Sequence, residues 1–178
     1  MQSSNERELV SGALPEILPR LWRFAMVLSG RRDVADDLVQ ATCVRALERA
    51  HQFQPGTRID RWTFTILSSI WKNQLRSEKI RQGQGFVDPE DVLVEDGNRK
   101  IEANIFLQQV LKEVQALPEA QRVTVLLVYV EGLSYREASE VLDIPIGTVM
   151  SRLSSARASL GKLAKDTPSA SGRTRKGS

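Results

Sequence analysis

Between Leu133 and Ala164 the sequence starts a short helix, breaks it and starts another. Ser134 followed by Glu137 is a capping box, in which hydroxyl and carboxylate each take up an N–H that the first helical turn leaves unpaired. Ala138, Val141 and Leu142 then form an apolar stripe. Asp143-Ile144-Pro145 ends the helix, because Pro145 disfavours helical geometry at Ile144. A second helix restarts near Gly147 and Thr148, with Val149, Leu153, Ala156 and Leu160 at helical spacing. Two short helices joined by a tight turn are the helix-turn-helix layout, whose second helix can enter a DNA major groove. Thr148, Ser151, Arg152 and Ser155 avoid the apolar stripe and can present donors to bases or phosphates. An ordinary helical hairpin with a solvated polar face would show the same alternation.

Composition narrows the rest. Hydrophobic residues make up 41% of the 178 positions, enough for folded cores, and the net charge of +3 excludes a disordered polycation. No apolar run is long enough to span a bilayer, and MQSSNERELV lacks the basic-then-apolar order of a secretory signal. A soluble, cytoplasmic chain without membrane insertion is expected. Cys43 is the only cysteine and His51 the only histidine. No internal disulfide, cysteine zinc site, nucleophilic triad or Gly-rich phosphate loop can be assembled, so no catalytic residue, metal, cofactor or small-molecule substrate is expected. Cys43 reads as a small core filler and His51 as a local cap interaction.

Toward the N-terminus, Leu14, Ile17, Leu18, Leu21, Trp22, Ala25 and Leu28 give one strong apolar face. Pro15 suits a first helical turn, Pro19 should split or bend the element, and Gly30 ends it. A next helix is expected from Asp33 to about Ala50, with Val34, Leu38, Ala41 and Leu47 inward and Asp33, Asp36, Asp37, Gln40 and Glu48 outside. After a loop marked by Pro55-Gly56, Ile59 to Arg81 is expected as a long helix. Trp62, Phe64 and Trp71 are interleaved there with Arg58, Arg61, Lys72, Asn73, Arg76, Lys79 and Arg81, and Phe53 lies in the loop before it. Aromatics beside cations and amides suit single-stranded DNA; the spacing of Trp62, Ile66 and Ile70 equally suits a core.

Residues 82–104 carry six acids and two bases between more basic, apolar blocks. With Gly83, Gly85, Pro89 and Gly97, residues 82–100 read as a flexible acidic linker. An acidic tether lying in a basic channel as a nucleic-acid mimic is the other reading of the same charge. Helical spacing returns at Ile101, Ile105, Leu107, Val110, Leu111 and Val114, and Pro118 opens a further helix from the favoured first position. The tail 167–178 is too poor in apolar residues to fold. The expectation is an all-α chain: two small helical domains, 1–81 and 101–166, joined by the linker 82–100.

The string Ile144-Pro-Ile-Gly-Thr-Val-Met-Ser-Arg-Leu, followed by Ala156-Arg157, resembles region 4.2 of bacterial sigma factors of the extracytoplasmic-function group. Asp36-Asp37-Leu38-Val39-Gln40 resembles region 2.2. Phe53-Gln-Pro-Gly-Thr-Arg with Trp62-Thr-Phe-Thr-Ile-Leu and Asn73-Gln-Leu-Arg resembles regions 2.3 and 2.4, and Leu117-Pro-Glu-Ala-Gln-Arg the start of region 4.1. The resemblance implies a factor that joins core RNA polymerase, through the β′ clamp helices and β flap, and directs promoter-specific initiation. It places Asp36, Asp37, Leu38 and Gln40 on polymerase. It sets Phe53, Arg58, Arg61, Trp62, Ser69, Lys72, Asn73 and Arg76 on the melted −10 element, with a flipped base in the loop. Thr148, Ser151, Arg152, Ser155 and Arg157 fall on the −35 element, and an anti-sigma factor is implied as partner. The uncharged Met150, Ser154 and Ser155, at recognition-helix positions where many members of the group carry longer polar or basic side chains, lower the number of cationic phosphate contacts.

Two other classes use the same parts differently. A stand-alone helix-turn-helix regulator predicts self-association and a palindromic site. A sigma mimic that sequesters an anti-sigma factor predicts loss of DNA-contacting residues, whereas Thr148, Ser151, Arg152 and Arg157 are present.

Overall fold

The computed structural model describes residues 2–81 and 113–166, and every regular element among them is helical. The expected linker, most of the helix expected from Lys100, and the expected tail lie outside the described residues. An N-terminal module comprises α1 (Gln2–Ser29), α2 (Arg32–Glu48), a single 3-10 turn (Ala50–Gln52) and α3 (Ile59–Arg81). A C-terminal module comprises α4 (Glu119–Val125), which widens into a π-turn (Leu126–Val130), then α5 (Tyr135–Leu142) and α6 (Ile146–Asp166). None of these helices is long and apolar enough to cross a membrane.

α1 departs from expectation. It begins well before Pro15 and runs through both Pro15 and Pro19. Each interior proline costs about 3 kcal/mol or more by removing a hydrogen bond and crowding the preceding turn. Val10, Leu14, Ile17, Leu21, Phe24, Ala25 and Leu28 are all buried on one face, and full burial of a large apolar side chain contributes about 1.5–3 kcal/mol. Packing outweighs the local preference. Phe24 meets the edge of Phe64 on α3 at 5.3 Å, and the Arg20 guanidinium lies 5.5 Å over the same ring.

The inward stripe of α2 is rotated from the expected one. Ala35, Leu38, Val39, Thr42 and Ala46 are buried, while Val34, Ala41 and Leu47 sit at the edges. Small Ala35 and Ala46 let α2 approach α1 closely, and the Thr42 hydroxyl is satisfied by donating to the Leu38 carbonyl at 2.7 Å.

The C-terminal module follows its sequence signals. The capping box is complete: the Ser134 hydroxyl accepts from the Glu137 N–H at 3.2 Å, and Glu137 Oε2 accepts from the Ser134 N–H at 2.8 Å. Asp143 closes α5 in the left-handed conformation, φ 51°. Val149, Leu153 and Ala156 of α6 are buried against α5 and α4, as their spacing predicts.

The two modules pack on one another, α1 against α4 and α3 against α5. Their buried side chains form one continuous apolar cluster.

Candidate nucleic-acid interface

The loop into α3 is held by Gly56 at φ +89° and by Thr57, whose N–H and hydroxyl both donate to the Gln54 carbonyl. Pro55 then Gly56 is the pairing a type II turn demands. Beneath the loop, Phe53 and Trp62 pack at 5.3 Å. Phe53 is only 5% exposed, which corrects its expected place around an extruded base: it is the floor on which the half-buried Trp62 rests. A cleft of about 310 Å³ opens between loop and helix, lined by Gln52, Gln54, Thr57, Arg58, Arg61, Trp62 and Thr65, with Glu140 of α5 as its far wall.

Farther along α3, Ser69, Asn73 and Arg76 are exposed and Lys72 half-buried on the same helix. Ile66 and Ile70 face the core, so the aromatic-basic helix divides into a packed face and a polar one.

Three cations of that polar face, Arg58, Arg61 and Lys72, are already engaged. Arg58 pairs with Asp60 at 2.8 Å and reaches Glu137 at 3.6 Å. Arg61 meets Glu140 at 3.2 Å and Glu137 at 3.8 Å. The Lys72 ammonium donates to the Leu142 carbonyl at the end of α5 and lies 3.5 Å from Asp143. Burial pushes the Asp60 carboxyl up, but hydrogen bonds from Arg58, the Arg61 N–H and Arg20 outweigh it and hold the group below its ordinary value. The Ser134 backbone N–H, with help from Arg58 and Arg61, holds Glu137 low as well.

A second ionic contact joins the modules on the other side of Asp60. Glu131, its side chain 1% exposed, accepts from Arg20 Nε at 2.6 Å and from Arg23 at 2.9 Å, and Arg20 also bridges to Asp60 at 2.9 Å. Glu131 follows the π-turn: its N–H reaches back to the Leu126 carbonyl, and Gly132 at φ +70° turns the chain away. A carboxylate at a helix C-terminus opposes the helix dipole, and the two guanidiniums offset that cost.

On α6, Ser151, Ser155 and Arg157 are exposed and Thr148 is half-buried at the first turn. Arg152 does not face outward with them, as its spacing suggests. It is half-buried, with its Nε enclosed, and lies within electrostatic range of Glu119 on α4. Burial pushes Glu119 above its ordinary value, against the pull of the Trp71 indole, Arg122 and Arg152.

On α2, Asp36, Asp37 and Gln40 are exposed, and Asp36 accepts a 2.8 Å hydrogen bond from the Trp22 indole. Leu38 is fully buried. The polymerase contact that the resemblance gives Leu38 is therefore corrected in favour of the inward place its spacing gives: it braces α2 from beneath. Cys43 is half-buried, and burial pushes its thiol up, away from reactivity.

Two family models match in order, Sigma-70 region 2 over residues 16–80 and Sigma-70 region 4 over residues 107–160. The chain is 34% identical to the ECF RNA polymerase sigma factor EcfG of Rhodopseudomonas palustris, over 82% of this chain and 80% of that one. The chain belongs to the extracytoplasmic-function sigma factors. Another relative, SigW of Bacillus subtilis, is 26% identical and covers 83% of this sigma factor and 84% of its own length. Among solved structures, the Bartonella quintana sigma factor RpoE, in complex with the anti-sigma factor NepR, superimposes with a TM-score of 0.67 and 32% identity, over 88% of this chain and 97% of that one.

Sequence reasoning missed Arg20, Arg23, Glu131 and Glu140 in this sigma factor, all of them partners across the module boundary. One signal is present. Glu131 directly before Gly132 puts an acid where the helix dipole disfavours it, which asks for a cationic partner elsewhere in the chain.

Proposed function

We propose that this sigma factor recruits core RNA polymerase and directs promoter-specific initiation, with the N-terminal module 1–81 opening and holding the −10 element and the C-terminal module 101–166 reading the −35 element. The observation that carries this is the polar face of α3 and its loop. Trp62, resting on Phe53, borders a cleft flanked by Arg58 and Arg61, with Ser69, Lys72, Asn73 and Arg76 continuing along the helix. Bases stack on aromatic faces while cations neutralise phosphates, and a pocket offsets the few kcal/mol that extruding a base costs. A helix-turn-helix in the same chain supplies duplex readout through Thr148, Ser151, Ser155 and Arg157, with Arg152 set between α6 and Glu119. Asp36, Asp37 and Gln40 offer an acid-and-amide surface on α2 to polymerase, steadied by Trp22.

The likeness to a sigma factor solved with the anti-sigma factor NepR supports control by an anti-sigma partner here. Run-off transcription with purified core polymerase and a fragment library from the host genome tests the whole reading. Transcripts whose upstream regions share two spaced motifs are expected. Absence of both transcripts and core binding would overturn it in favour of a stand-alone regulator or a sequestering mimic.

A further inference from the structure

The strand face of α3 meets a row of acids that belongs to the same chain. Glu137 and Glu140, about 4.5 Å apart in rise on α5, and Asp143 just past its end lie against Arg58, Arg61 and Lys72. Each of those cations stands where the proposed function puts a promoter phosphate. Glu140 also walls the cleft beside Trp62. The recognition face of α6 is left in the open, with Ser151 and Ser155 exposed.

We infer that the first helix of the helix-turn-helix is an internal polyanion that docks on the single-strand face of α3, so that the free sigma factor occupies the Arg58, Arg61 and Lys72 part of its own −10 surface while leaving its −35 surface accessible. The occupant is a named segment of this chain, α5, and its charge complementarity pairs Glu137, Glu140 and Asp143 with Arg58, Arg61 and Lys72. The inference rests on the proposed function for the identity of the displaced ligand, though the docking itself does not. Most of the ion pairs are solvent-facing, with Glu140 49% and Asp143 90% exposed. Such pairs are weak and screened by salt, so promoter strand or polymerase can displace them.

The test is a triple variant, Glu137→Gln, Glu140→Gln and Asp143→Asn. Gln still completes a capping box and Asn tolerates the left-handed conformation at position 143, so the charges go while α5 stays. A control of equal charge change, Glu8→Gln, Glu16→Gln and Glu48→Gln, lies away from the contact on exposed positions of α1 and α2. In the full chain with Cys43→Ser, spin labels at Ser11→Cys and Ser159→Cys report the separation of the modules. One narrow distance is expected in the parent, broadening in the triple variant and in about 1 M salt, where the Debye length is about 3 Å, but not in the control at low salt. Affinity for a short fluorescein-labelled single strand of mixed sequence is expected to rise about tenfold in the triple variant, given several surface pairs lost together, and far less in the control.

A broad distance in the parent would overturn the docking. A distance that opens in the triple variant without a gain in strand binding would overturn the occlusion. An equal gain in the control would reduce the effect to net charge and overturn it too. Run-off transcription judges the sigma assignment separately: if it fails while the triple variant opens and binds strand more tightly, the proposed function falls and the internal docking stands.

Discussion

Glu131 and Asp143 both carry a negative charge across the boundary between the modules, under opposite conditions. Glu131 is 1% exposed and held by Arg20 and Arg23, whereas Asp143 is 90% exposed beside Lys72. The first contact buries its carboxylate and is doubly bonded, so it sets how the modules sit. The second is wet and single, so it can be exchanged for another anion. One boundary thus combines an anchor with a set of replaceable contacts.

The largest expected effect comes from breaking the anchor. Glu131→Ala strands the guanidiniums of Arg20 and Arg23 at the boundary, though Arg20 keeps Asp60, and should cost about 1–3 kcal/mol in urea unfolding. A cost no larger than that of an exposed pair would erase the distinction between the two contacts. Ser134→Ala comes next. It removes the cap that steadies the first turn of α5, where Glu137 sits, at about 1 kcal/mol by thermal unfolding. Glu140→Gln should cost only about 0.2–1 kcal/mol, and added salt should abolish the difference. Arg157→Ala, on the open face of α6, is expected to weaken −35 recognition in footprinting while core polymerase still binds; unchanged transcription from a cognate promoter would refute that residue's place in the reading.

Acid gives the shallowest signal. Asp60 and Glu137 are both held below their ordinary values in the folded chain. As pH falls the unfolded chain therefore takes up protons first. Their contribution is complete above the ordinary carboxylate range, about pH 4–5, and is lost as pH falls through the lower folded values. Denaturant midpoints across that window should decline with acid, and less so in the Glu137→Gln variant.

How legible each feature is depends on its range. The capping box, the break at Pro145 and the stripe of α6 are each set within a few residues of one another, so neighbouring letters of the sequence suffice to read them. Arg20 and Glu131 are 111 positions apart; no periodicity reports such a pairing. Leu38 and Phe53 fail in another way. The family resemblance puts both on a surface; the spacing of α2 already turns Leu38 inward, whereas only the packing of the loop beneath Trp62 shows that Phe53 does the same. Pro15 misleads because its local cost is real, and a buried face spanning Val10 to Leu28 overrides it.

The three tryptophans of the chain stand at separate junctions. Trp22 donates to Asp36 on the surface proposed for polymerase, Trp62 borders the cleft of the α3 loop, and Trp71 lies 3.5 Å from Glu119 across the module boundary. Indole emission responds to the polarity and hydrogen bonding around the ring. With two of the three replaced by phenylalanine, the native fluorophore that remains becomes an optical gauge for one event alone: docking, strand entry or the parting of the modules.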